Sequence, residues 1–192
     1  MKDDKTAGTI IVTIVVALVF TIIGVCFSSF LLPKRKIVIE NVALIAFDGA
    51  SFANEKNEKI TSIKIEVPKT GLRPATGDCD AENHIPSTIK DGLGSEGGYV
   101  KFIVSADTNY KIILKNVKIN KNVQTLEHVM IAFKDEEPAI SLKSENAIIA
   151  RGSNTKNETP KLYTLYLWVH ADAQEKLVGA KISFDIVLVK DI

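Results

Sequence analysis

The stretch LYTLYLWVH (Leu162–His170) and the later stretch KISFDIVLV (Lys181–Val189) decide the fold of this chain. In the later stretch Ser183 and Asp185 alternate with apolar residues, which is the two-residue period of a strand with one buried face. The earlier stretch is apolar on both faces, and this favours a central strand covered on both sides. The apolar set of the later stretch is Ile182, Phe184, Ile186 and Leu188.

Similar β-rich runs recur through the preceding sequence. They are Ile37–Phe47, Ile63–Val67, Val100–Val104, Tyr110–Ile119, Val129–Phe133 and Ala147–Arg151. In one of them the apolar positions change parity, which predicts a β-bulge near Lys115 and Asn116. About eight strands with turn residues between them predict an all-β fold, an antiparallel β-sandwich of jelly-roll-like or Ig-like type. A single helical turn is predicted at Ala171–Leu177.

Composition excludes several classes of protein. The chain has 192 residues with 24 Lys+Arg and 23 Asp+Glu, so it lacks the basic excess that nucleic-acid binding normally requires. Apolar residues make up 46% and charged residues 24%, which is typical of a folded protein and not of a disordered one. Two cysteines are too few for a disulfide scaffold or a four-cysteine zinc site.

An uncharged segment near the start predicts a membrane anchor. Gly8–Leu32 contains no charged residue and would span about 37 Å as a helix, against a hydrocarbon core of about 30 Å. Pro33 ends the segment, and the basic residues at 34–36 suit the lipid headgroup region. The predicted organisation is a polar N-terminus at 1–7, a transmembrane helix at 8–32, a basic linker at 33–36 and a β-sandwich domain at 37–192.

A cleaved signal peptide is the alternative interpretation of this segment. The apolar run exceeds a typical signal core of about 7–15 residues, and no A-x-A site follows it. Cys26 suggests a lipoprotein, but Val25 stands where a lipobox needs a small residue, so an uncleaved anchor is favoured. The basic linker leans towards a cytoplasmic C-terminal part, whereas a long β-rich domain is typical of an exported one. We expect the domain outside the cell.

A long connection is the first candidate site. Lys69–Gly98 is rich in glycine and proline, and connections of this length in compact domains are often functional. We expect an exposed, partner-binding loop with Asp78, Asp80 and Glu82 at its polar tip. The spacing of these acids departs from an EF-hand, and no metal is predicted. The alternative is that the connection hides a short strand near His84–Ile89.

Tyr166 and Trp168 are the second candidate, on one face of the stretch LYTLYLWVH. An exposed pair could stack on a sugar or bind a protein partner. The favoured interpretation is a central strand that buries both side chains.

No motif predicts catalysis or a cofactor. GLGSEG at residues 92–97 matches the glycine pattern of a dinucleotide site, but a loop precedes it and a strand follows it, so a flexible turn is predicted. The spacings typical of zinc hydrolases and of nucleophile elbows are missing from the sequence. Cys79 with a distant histidine is a weak candidate nucleophile. We therefore expect no enzyme activity, no metal and no cofactor.

The order of features resembles one group of bacterial proteins. One N-terminal hydrophobic segment precedes a β-rich domain that ends in YTLYLWV and GAKISFDIVLV, and this is similar to exported β-sandwich surface proteins of Gram-positive bacteria, the biofilm-fibre and camelysin group. The resemblance implies a cell-membrane location. No residues match a catalytic motif, so the protease activity that the camelysin name implies is not carried over.

The expected function is a membrane-anchored, non-catalytic module with a structural or binding role at the cell surface. Its partners would be the lipid bilayer and an unknown protein or glycan. The alternative is a released assembly subunit that forms homo-oligomers by strand addition at a sheet edge. A hydrolase is the third and least favoured interpretation.

Overall fold

The computed structural model describes residues 37–67, 72, 75, 85, 86, 89, 97–134, 136–155, 159–177 and 179–191. These residues belong to one unit of the chain, Arg35–Ile192. Within the described part, no helix has the length and apolar character needed to span a membrane. The transmembrane helix predicted at 8–32 lies outside the described residues.

Twelve strands are present in the described part of the chain, in two sheets of six. In chain order they are β1 (Val38–Ile39), β2 (Val42–Ile45), β3 (Ala50–Ala53), β4 (Lys59–Ile60), β5 (Ser62–Ile63), β6 (Gly98–Ala106), β7 (Tyr110–Ile119), β8 (Val129–Phe133), β9 (Ile140–Ser141), β10 (Ile148–Gly152), β11 (Lys161–Val169) and β12 (Lys181–Lys190). The helical segments of that described part are two short 3-10 helices, Val123–His128 and Ala171–Leu177. The all-β prediction and the helical turn are confirmed.

The first sheet has the order β10-β7-β12-β2-β5, with β1 also beside β12, and the second has the order β4-β3-β6-β11-β8-β9. The run Ile37–Phe47 is two strands rather than one, and both pair in parallel with β12. Val38 is opposite Lys181, and Ala43 is opposite Asp185. The expectation of a wholly antiparallel fold is therefore wrong at this edge of β12, because the first and last strands of the domain run side by side in the same direction.

The two sheets share one apolar core built from their inner faces. The alternating set predicted in β12 is fully buried, with each side chain 2% exposed or less: Ile182, Phe184, Ile186 and Leu188. In the second sheet the ring of Phe102 lies 5.5 Å from that of Phe52 and 5.7 Å from that of Phe133, both edge to face. Such aromatic pairs contribute about 0.5–1.5 kcal/mol each beyond the area they bury.

The β-bulge predicted in β7 is confirmed. Lys118 is opposite Ser183 and Lys115 is opposite Asp185, so two residues of β7 face one residue of β12 between these pairs. Asn116 occupies the bulge with a φ of 53°. Asparagine tolerates this left-handed backbone better than most residues, which explains why it stands there.

Candidate functional site

Tyr166 and Trp168 are each only 3% exposed, so the exposed aromatic surface suggested for them is wrong. They lie on the outer face of the second sheet, in a buried apolar group separate from the main core. We call this group the outer cluster; its members are Ala75, Ile85, Ile89, Ala132, Tyr166 and Trp168. The interpretation of β11 as a strand covered on both faces is confirmed.

The residues that cover this face come from the long connection 69–98. Ile85 and Ile89 are 1% and 2% exposed, and the backbone N–H of Ala75 donates to the carbonyl of Val169 at the end of β11, at 2.9 Å. Pro86 forms an isolated β-bridge, close to the short strand considered for this stretch. The described residues of the connection are thus part of the packed domain and not of a simple exposed loop.

The acidic residues proposed as the tip of that loop, Asp78, Asp80 and Glu82, lie outside the described residues. In the GLGSEG motif, the structure describes the last glycine, Gly97. Gly97 is buried, and a Cβ placed there would lie 2.4 Å from Cγ2 of Ile89. A glycine at this position therefore makes room for a side chain of the outer cluster, which is a packing role and not a phosphate-binding one.

Next to the outer cluster, β6 loses its neighbour on one edge for a short distance. β3 pairs with β6 only as far as Ile103, and an isolated bridge then joins Glu66 to Tyr99. Among the described residues, no strand pairs with Val100–Phe102 on this edge. Tyr99 exchanges both backbone hydrogen bonds with Glu66, at 3.0 and 3.1 Å. Because backbone groups alternate in direction along a strand, the N–H and C=O of Lys101 point into the gap.

The gap is a groove of about 210 Å³, which we call the β6 notch. Its lining consists of two acids, two lysines, one aromatic and one aliphatic residue: Glu55, Glu66, Lys64, Lys101, Tyr99 and Val100. The Lys101 ammonium lies 3.8 Å from the carboxylate of Glu55, and both side chains are largely exposed. An exposed ion pair of this kind contributes little to stability, so both groups remain available to a ligand.

Tyr99 links the notch to the outer cluster. Its side chain is half-buried, packs against the outer cluster and lines the notch. Exposure of Tyr166 and Trp168 is the less favoured interpretation of the sequence; on this face of the second sheet it is Tyr99, directly opposite Tyr166 in the neighbouring strand, that is partly accessible. The sequence contains no signal for the partial exposure of Tyr99, because that exposure depends on which side chains the long connection covers.

A larger groove lies between the two sheets, where β2 and β3 run past the short strands β4 and β5. It has a volume of about 540 Å³, and residues 44–52 and 59–61 line it. We call it the edge groove. β5 pairs with β2 only at Val42 and Ala43, and β4 pairs with β3 only at Phe52 and Ala53. Past these pairs the backbone N–H of Leu44 donates to the carbonyl of Thr61 at 2.9 Å, and the rest of β2 and β3 borders the groove, where Ile45 is 46% exposed.

Gly49 forms the turn at one end of the edge groove. Its φ of 92° is a backbone conformation that favours glycine. A Cβ at this position would also lie 2.2 Å from the carboxylate oxygen Oδ2 of Asp107. The backbone N–H of Asp107 donates to the carbonyl of Gly49 at 3.1 Å, which fixes the turn against the end of β6.

Two tyrosines join the sheets inside the core. The hydroxyls of Tyr110 in β7 and Tyr163 in β11 lie 3.0 Å apart, and Tyr163 also donates to the carbonyl of Arg151 at 3.3 Å. Burial raises the pKa of Tyr110; burial, and then the hydrogen bond to Tyr110, raise the pKa of Tyr163 strongly. Both phenols therefore stay protonated at neutral pH, and the hydrogen bond between them connects the two sheets.

The described histidines do not form a metal centre. The backbone N–H of His170 donates to the carbonyl of His128 at 2.7 Å, which brings the two residues side by side. Nδ1 of His170 accepts from the backbone N–H of Asp172 at 3.3 Å. Over the described ranges, no three His, Cys, Asp or Glu side chains are grouped to hold a metal ion. Cys79 and His84 lie outside those ranges.

Comparison with known proteins gives no family for this chain, since no protein-family model, no curated protein and no solved structure matches it. The features of this chain that bear on function are the β6 notch, the edge groove and the uncharged run Gly8–Leu32.

Proposed function

We propose that the chain is a membrane-anchored, non-catalytic β-sandwich protein that acts as a binding or structural module at the cell surface. The observation that carries this proposal is the uncharged run Gly8–Leu32, which immediately precedes a β-rich unit with a core of its own. A run of this length suits a single membrane crossing, and the basic residues that follow suit the headgroup region.

The grooves supply the binding part of the proposal. Binding sites are concave and combine apolar surface with a few polar groups. The edge groove and the β6 notch both have this character, since each combines apolar side chains with charged ones at the margin of a sheet.

Within this proposal the domain is jelly-roll-like rather than Ig-like. In an Ig-type sandwich the last two strands share one sheet. Here β11 belongs to the second sheet and β12 to the first, and consecutive strands from β9 to β12 alternate between the sheets. Alternation of this kind supports the jelly-roll alternative.

The anchor is tested by fractionation of cells that express the full chain. The unchanged protein should sediment with membranes and need detergent for release, while a variant lacking residues 8–32 should remain soluble. As a control, an unrelated single-spanning sequence in place of residues 8–32 should restore membrane association. Recovery of the unchanged protein in the soluble fraction at its full mass would overturn the proposal.

A second candidate function is assembly after release from the membrane, and the edge groove is the observation that favours it. Sheet margins that lack a long neighbour accept an added strand from another chain. Ile45 on β2 is 46% exposed at this margin. If assembly uses the groove, Ile45→Lys should abolish oligomers in sedimentation velocity, and Val123→Lys, at a 60% exposed residue outside the groove, should leave them.

A further inference from the structure

We infer that the β6 notch binds one ring of a neutral, hydroxyl-rich saccharide. This inference rests on the proposed function, because it names the class of ligand that the displayed domain would take. The observation that carries it is the gap that β6 leaves, among the described residues, between its last contact with β3 and its bridge to Glu66.

The size and charge of the notch select the ligand class. Its volume of about 210 Å³ has room for one sugar ring and not for a large apolar ligand. Two carboxylates and two ammonium groups leave no net charge among the lining residues, so neither an anion nor a cation is favoured. Among the described residues the unpaired margin of β6 covers Val100–Phe102, which is too short for a peptide to pair as an added strand.

The groups in the notch match the surface of a sugar ring. The carboxylates of Glu55 and Glu66 can accept hydrogen bonds from hydroxyl groups, and the ammonium groups of Lys64 and Lys101 can donate to hydroxyl or ring oxygens. The backbone N–H and C=O of Lys101 offer one further donor and one further acceptor to adjacent hydroxyls. The accessible part of Tyr99 provides apolar surface for the C–H face of the ring.

The test uses the full chain in detergent and three uncharged probes: cellotetraose, maltotetraose and chitotetraose. Isothermal titration calorimetry should detect binding of at least one probe to the unchanged protein. Glu66→Gln and Lys101→Met should each weaken it about ten-fold, the effect expected when one charge-assisted hydrogen bond is lost. Glu40→Gln and Lys118→Met are matched controls, since both side chains are exposed outside the notch, and they should bind with unchanged affinity.

Two results would overturn the inference. One is failure of all three probes to bind the unchanged protein. The other is binding that Glu66→Gln and Lys101→Met leave unaltered, because the sugar would then occupy a different place. Both results are independent of where the domain lies in the cell, so they would not contradict the membrane-anchored function. Conversely, a domain that binds the sugar but lies in the cytoplasm would contradict that function and not the inference.

Discussion

The side-chain amide of Asn116 donates a 2.6 Å hydrogen bond to the carboxylate of Asp185 across the bulge that joins β7 to β12. The backbone N–H of Asn116 donates to the carboxylate of Glu145 at 2.8 Å. One residue therefore accommodates the left-handed turn of the bulge and fixes the register of the two longest strands in the first sheet. Asn116 therefore contributes both to the backbone conformation of the bulge and to the pairing of β7 with β12.

Substitution of Asn116 should separate these two contributions. Asn116→Ala loses the side-chain hydrogen bond and also places an ordinary residue at positive φ, so it should lower the free energy of unfolding by about 2 kcal/mol. Asn116→Gly keeps the backbone conformation accessible and should cost about 1 kcal/mol. Urea denaturation of the full chain in detergent measures both, with Lys118→Ala in the same strand as the control. An alanine variant at least as stable as the glycine variant would contradict this account of the bulge.

The buried tyrosine pair predicts how stability responds to alkaline pH. Unfolded tyrosines ionise near pH 10, whereas Tyr110 and Tyr163 have raised pKa values in the folded state. The folded state thus retains protons that the unfolded state loses, so the contribution of the pair is complete below pH 10 and falls as the pH rises from there through the raised pKa values.

The measurement is the free energy of unfolding at pH 9 and at pH 11. Between pH 9 and pH 11 the free energy of unfolding of the unchanged protein should fall. In a variant that lacks one of the two phenols, the fall should be smaller by about 1 kcal/mol. The variants Tyr110→Phe and Tyr163→Phe test the two groups separately, and lysines and other titrating groups are common to all three proteins. Equal losses in the three proteins would show that the phenols ionise alike in the folded and unfolded states.

The long connection should contribute to stability through the outer cluster. Ile89 is 2% exposed, and Ile89→Ala should lower the free energy of unfolding by about 3 kcal/mol, a typical cost for removing a buried aliphatic side chain. Trp168 is the only tryptophan, so its fluorescence reports the packing of this cluster, and its emission should shift to longer wavelength in the variant. Leu162→Ala, at a 50% exposed residue of β11, is the control and should cost well under 1 kcal/mol. Unchanged stability and emission in Ile89→Ala would restore the picture of a loose surface loop.

The strands could be predicted because alternation follows directly from burial of one face. The period in β12, the parity change at Asn116 and the two-sided apolar pattern of β11 each correspond to a feature of the structure. The division of Ile37–Phe47 into β1 and β2 could not be predicted, because it depends on parallel pairing with a strand at the far end of the sequence.

The candidate sites were harder to predict than the fold. Exposure of Tyr166 and Trp168 depends on residues such as Ile85 and Ile89, which reach this face from a stretch without visible periodicity. The β6 notch lies where no strand of the described part pairs with Val100–Phe102, and Glu66 and Tyr99, which bound it, are far apart in the sequence. Local patterns contain no information on gaps of this kind.

The side of the membrane on which the β-domain lies tests the central claim most directly. Lys118 is exposed on β7, and Lys118→Cys in a background of Cys26→Ser and Cys79→Ser provides a single thiol at a described position. A membrane-impermeant maleimide added to intact cells that express this variant should label it, and the variant without any cysteine should remain unlabelled. Labelling in intact cells to the same extent as after lysis is the result that a surface domain predicts. Labelling that occurs only after lysis would place the domain in the cytoplasm and contradict the proposed function.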